Sequence, residues 1–128
     1  MSTYGIEREV PLSFSQAVEK VTEELKKEGF GVLTTIDVKE TLKKKLNTEF
    51  HNYVILGACN PPFAYQALQA DNQVGLLLPC NVVVQERDGV TTVSIFDPLT
   101  MGRIMVNDAI EPVAGEVRKR LERVLESV

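Results

Sequence analysis

The spacing of apolar and polar residues changes several times along this chain, and each change marks an element. Ile6, Val10 and Leu12 alternate weakly with Glu7 and Glu9, as in a half-buried strand at a sheet edge. From Ser13 the period lengthens: Phe14, Val18, Val21 and Leu25 recur at helical spacing, with Glu19, Lys20, Glu23, Glu24 and Lys27 on the other face. Ser13 with Gln16 makes a capping box ahead of this helix, and Gly29 supplies a left-handed stop behind it. The β-branched and aromatic run Phe30 to Ile36 predicts a strand. Asp37 with Glu40 then caps a short helix whose Val38, Leu42 and Leu46 give one apolar residue per turn, suited to lying on the surface.

Tyr53 to Ala58 predicts the next strand. Asn60-Pro61-Pro62 opens a helix carrying Phe63, Ala64, Ala67 and Leu68, with Asn as the cap and Pro in the first turn. An extended stretch, Gln73 to Pro79, leads into a strand from Asn81 to Glu86. Asp88-Gly89 is the strongest local signal, because it supplies the positive backbone angles of a tight hairpin into Val90 to Phe96. Asp97-Pro98 breaks that strand as a turn, and a loop through Met101-Gly102 leads to a last helix with apolar positions Ile110, Val113, Val117, Leu121, Val124 and Val128. The order strand, helix, strand, short helix, strand, helix, strand, strand, helix predicts one α+β domain over residues 1–128. Its sheet is mostly antiparallel, with the helices packed on one face.

Composition agrees with a single core: of 128 residues, 44% are hydrophobic and 25% charged, which is ordinary for a chain that folds alone. A net charge of -4 offers no field to gather phosphate backbones, so nucleic acid is not an expected partner. The one basic cluster, Lys43-Lys44-Lys45, reads as the solvated face of the short helix. The stretch from Met1 to Gly5 has no positive lead into an apolar run, and Val74 to Val84 is short and broken by Pro79, Cys80 and Asn81. The expectation is a cytoplasmic protein without a membrane segment. Its two cysteines are then thiols rather than a disulfide framework.

Those cysteines carry the chain's most distinctive chemistry, in the pairs Cys59-Asn60 and Cys80-Asn81. Cys59 stands before a helix start, where free N–H groups and the helix dipole favour a thiolate. Cys80 has no electropositive neighbour in sequence and reads by itself as core filler. If the strands ending at Cys59 and starting at Cys80 run antiparallel, the thiols can approach. A parallel crossover would hold them roughly 17 to 20 Å apart. A shared pair could bind a soft metal, form a reversible disulfide, or transfer a sulfur or acyl group. Against these, a closed zinc site needs more ligands than the chain's motifs supply, and the only histidine, His51, lies at the far end of the strand from Cys59. Two thiols packed as small hydrophobes is the plain alternative. Tyr53, Tyr65, Phe63 and Phe96 could line a pocket, although such aromatics are more often core. Gly29-Phe30-Gly31 lacks the third glycine of a phosphate loop.

The blocks Tyr53-Val54-Ile55-Leu56-Gly57-Ala58-Cys59-Asn60-Pro61-Pro62 and Gly75-Leu76-Leu77-Leu78-Pro79-Cys80-Asn81-Val82-Val83-Val84 resemble the prokaryotic domain-of-unknown-function family DUF302. Gly29 to Leu33 and Ile36 to Val38 fit the same pattern, so the resemblance spans nearly the whole chain. It implies a TATA-binding-protein-like α+β fold, β-α-β(4)-α with short extra helices, and a homodimer. It implies no activity, cofactor or catalytic residue. The resulting expectation is a non-catalytic, dimeric binding module with a small-ligand or soft-metal site at Cys59, Asn60, Cys80 and Asn81. The rivals are a thiol enzyme with Cys59 as nucleophile and an interaction domain whose cysteines only pack.

Overall fold

The computed structural model describes residues 3–128; Met1 and Ser2, where the reading of the N-terminus for a secretion signal begins, lie outside the described residues. The elements follow in the order β1 (Gly5–Val10), α1 (Phe14–Lys27), β2 (Gly31–Asp37), α2 (Val38–Leu46), β3 (Asn52–Cys59), α3 (Pro61–Ala70), a 3-10 helix (Asn72–Leu77), β4 (Cys80–Arg87), β5 (Val90–Phe96), α4 (Leu99–Ile104) and α5 (Ile110–Ser127). The five strands form one antiparallel sheet in the order β1-β5-β4-β3-β2, so the first strand is an edge, as its weak alternation predicts.

Local signals act where the sequence puts them. The Gln16 N–H donates to Ser13 Oγ at 3.2 Å while the Ser13 N–H donates to Gln16 Oε1 at 3.1 Å, closing the capping box. Asp37 Oδ1 accepts the Glu40 N–H at 2.9 Å and starts α2, which buries none of its residues. Asp88 and Gly89 have φ of 53° and 78°, the positive angles that let the β4–β5 hairpin close in two residues.

Helix α1 links the two edge strands and so crosses the sheet, where Ala17, Val21 and Leu25 meet Val54, Leu56, Val82, Val84, Val93 and Ile95. Val117, Leu121, Val124 and Leu125 of α5 complete this core on the same face. A smaller cluster of Ala67, Val74, Met101 and Ile110 forms beside it, under α3, the 3-10 helix and α4. Such satellite clusters arise where long connections fold back on a sheet.

Five local expectations need correction. Glu24, placed on the polar face of α1 by periodicity, is buried, with Lys27 at 2.8 Å and Lys20 at 3.2 Å holding its carboxyl below the usual range. The extended Gln73 to Pro79 stretch is mostly a compact 3-10 helix, begun by the Gln73 N–H donating to Asp71 Oδ1 at 2.9 Å. The loop through Met101-Gly102 is α4. Asp97, a turn residue by sequence, holds the start of α4 through the Leu99 N–H at 3.0 Å and also accepts Arg118 of α5 at 2.8 Å. Finally, Asn60 occupies the cap position of α3 but makes no side-chain cap bond there.

Asn60 instead turns toward the end of α1. Its Nδ2 donates to the Glu28 carbonyl at 3.2 Å, and the same carbonyl accepts Arg120 Nη1 of α5 at 3.1 Å. The end of α1 carries carbonyls without intrahelical partners, and a cation with an amide donor satisfies one of them. Arg123 grips the Glu28 carboxylate with three contacts between 2.8 and 3.2 Å and holds that carboxyl below its ordinary range. One residue therefore ties α1 and α5 to the start of α3. Replacing Asn60→Ser keeps an ordinary cap side chain, so a capping role predicts little change; losing the reach to Glu28 should cost about 1–2 kcal/mol in urea unfolding.

Candidate functional site

The β3–β4 ladder decides whether the two thiols share a site. Ala58 opposes Cys80 and Gly57 opposes Asn81, so the strands run antiparallel and the end of one lies beside the start of the other. Cys59, one residue on, pairs with Gly31 of β2 on its other side. The two cysteines therefore stand one residue out of register on adjacent strands rather than directly opposed. Both are half-buried and free.

They line a cavity of about 300 Å³ that lies along the seam between the two hydrophobic clusters. The sheet contributes Ala58 and Cys80 at one end, with Leu33 and Thr34 of β2 beside them and Phe30 just ahead of that strand. Helix α3 contributes Phe63, Ala64 and Ala67; Leu78 and Pro79 enter from the 3-10 side, and Pro98 and Met101 from the start of α4. The inner face of α5 closes it with Ile110, Val113, Ala114 and Val117. No charged side chain lines the space, and its polar groups are Cys59, Asn60 and Cys80, where β3 ends and β4 begins, and Thr34 in the middle of β2.

The four candidate residues thus separate. Cys59, Asn60 and Cys80 meet at the cavity, but Asn81 is exposed and is not among the lining residues. Asn60 is almost wholly buried, at 6% exposure, with its amide nitrogen spent on Glu28. His51 sits before the opposite end of β3, where its Nε2 lies 2.9 Å from Gln85 Oε1 and its ring stacks on Phe50 at 4.2 Å. Of the aromatics considered, Phe63 lines the cavity. Its ring carries the Arg120 guanidinium at 4.9 Å, and that cation is not a lining residue. Leu33, Met101 and the α5 residues had no distinguishing signal in sequence, because a side chain facing a cavity and one facing a packed core follow the same period.

Gly57 has a specific reason to be glycine. A Cβ there would collide with the Thr34 hydroxyl and stand 2.9 Å from Pro79 Cγ. The backbone of β3 is bare at this point so that β2 and the chain entering β4 can close over it beside the cavity.

Burial pushes the Cys80 thiol up to about 11, with the neighbouring Cys59 adding in the same direction. Its folded value exceeds the ordinary 9.0, so the preference for the protonated form stabilises the fold below that pH and is lost as pH rises toward about 11. Among the described residues, no group of three or more His, Cys, Asp and Glu side chains is placed to hold a metal ion, and no helix is long and apolar enough to cross a membrane. In a Cys59→Ser variant, alkylation of Cys80 by iodoacetamide should stay slow at neutral pH and rise only above about pH 10. A midpoint at the ordinary 9.0 in that pH profile would contradict this burial.

Comparison with known proteins places this architecture. A family model described as domain of unknown function DUF302 matches residues 6–128. Among solved structures, the crystal structure of an uncharacterized conserved DUF302 protein from Bacillus stearothermophilus is 32% identical, with 98% of each chain covered and a TM-score of 0.91. No curated protein matches.

Proposed function

Because this chain belongs to the DUF302 family, whose description assigns no activity, we propose its function from the site itself: a non-catalytic module that binds a small organic molecule where Cys59, Asn60 and Cys80 converge. The observation that carries this reading is the cavity. Its volume of about 300 Å³ lies at the lower end of small-molecule sites, and its lining is apolar with a few polar groups gathered at one end. Such a wall binds by removing apolar surface from water, while the polar end orients the occupant.

The rival readings fit the residues less well. A soft metal would be held by thiolates, and burial holds Cys80 as a neutral thiol at physiological pH. A thiol enzyme built on a Cys–His pair lacks its base, because the chain's only histidine stands a strand length from Cys59, roughly 25 Å.

The chain has no tryptophan, which leaves the optical window clear for a fluorescent probe. The uncharged probe N-phenyl-1-naphthylamine should bind with saturable emission enhancement at one site per chain. Ala64→Trp, which fills the space from its α3 wall, should abolish that binding while the far-UV circular dichroism stays unchanged. Absence of binding to the unmodified protein would refute the reading. Stoichiometric Cu(I) or Zn(II) uptake that disappears in a Cys59→Ser, Cys80→Ser double variant would move the site to metal chemistry.

A further inference from the structure

The sheet's one register shift among the described residues lies at the cavity. Along the β2–β3 ladder Val32 opposes Ala58 and Thr34 opposes Gly57, so Leu33 is an extra residue with no partner on β3. A bulge of this kind bends its strand and re-aims the side chain it carries. Leu33 lines the cavity and yet is 70% exposed, which puts it at the mouth rather than in the wall. Ile36 of the same edge strand is also exposed, at 49%, but it does not line the cavity, whereas Leu33 does, beside Thr34. On the other side of the bulge, the bare backbone of Gly57 lets Thr34 and Pro79 close in. Arg120 is not among the lining residues: its guanidinium lies 4.9 Å over the Phe63 ring and is engaged by the Glu28 carbonyl and Glu116.

From this geometry we infer that Leu33 is the specificity-determining residue of the cavity, that ligands enter past the β2 bulge, and that the ligand class is uncharged and apolar. The inference rests on the reading of the cavity as a binding site. An aliphatic side chain at the mouth covers a bound apolar molecule and removes more of its surface from water, which slows release. It also offers no partner to a charged group that would have to shed its hydration in an uncharged space.

Stopped-flow release of N-phenyl-1-naphthylamine from the full chain tests this. Leu33→Ala should release the probe about tenfold faster, through loss of apolar contact over the bound molecule. Leu33→Thr, which matches the neighbouring strand residues, should do the same. Both should leave the unfolding midpoint unchanged, since an exposed residue contributes little packing. Leu33→Lys should lower affinity for the neutral probe and raise it for the anionic 1-anilinonaphthalene-8-sulfonate. If the neutral probe binds the unmodified protein and is excluded by Ala64→Trp, but Leu33→Ala and Leu33→Thr leave its release within twofold, the assignment of Leu33 is wrong and the cavity reading stands. If the probe does not bind, or Ala64→Trp does not exclude it, both fall.

Discussion

With Ala58 set against Cys80 in an antiparallel ladder, the chain that leaves β3 has to return to the same end of the sheet before β4 can start. It makes the journey outside the sheet, through α3 and the 3-10 helix, and these cannot lie flat on a surface already covered by α1 and α5. The detour gathers its own apolar residues around Val74, Met101 and Ile110. The two clusters do not interlock as one packed core does, and the cavity is lined by residues of both. The pairing of two strands thus brings both cysteines to one end of the sheet, at the space they border.

Polar contacts frame that seam, and of their side chains only Asn60 lines it. The Glu28 carbonyl at the end of α1 takes one donor from Asn60 and one from Arg120, so a single atom references α1, α3 and α5 to each other. On the far side, Asp97 joins the start of α4 to Arg118 of α5. Each of these charges is paired outside the lining, the buried Asp97 with Arg118, and the Arg120 guanidinium lies over the Phe63 ring. A cavity framed by satisfied polar groups can stay apolar inside, because no buried charge demands water or a counter-ion there.

The two cysteines have different situations within this frame. Cys80 packs with the main core and is held as a thiol by burial, while Cys59 ends its strand immediately before α3. Asn60 serves the fold through the Glu28 carbonyl, and Asn81 faces away from the cavity. Two repeated dipeptides in the sequence therefore become three lining residues with separate duties and one bystander.

The order and kind of the main elements were legible in sequence because each rests on interactions a few residues long. The Ser13–Gln16 box, the Asp37 cap, the Gly29 stop and the Asp88-Gly89 hairpin all close locally, and the structure keeps every one. Legibility fails where a distant partner outbids the local preference. Asn60 has the composition of a cap yet bonds across to Glu28, and Asp97 has the composition of a turn yet pairs with α5. The short α4 had no periodic signal of its own beyond Asp97-Pro98. What the sequence determined alone was an α+β chain with two thiols near strand ends and a helix start after the first. Only the tertiary structure decided that those ends coincide, that Leu33 is the residue left over in the ladder, and that an unfilled seam lies behind it. Strand register and the mismatch between two apolar clusters are set by contacts between segments far apart in the chain, and no periodicity within one segment encodes them.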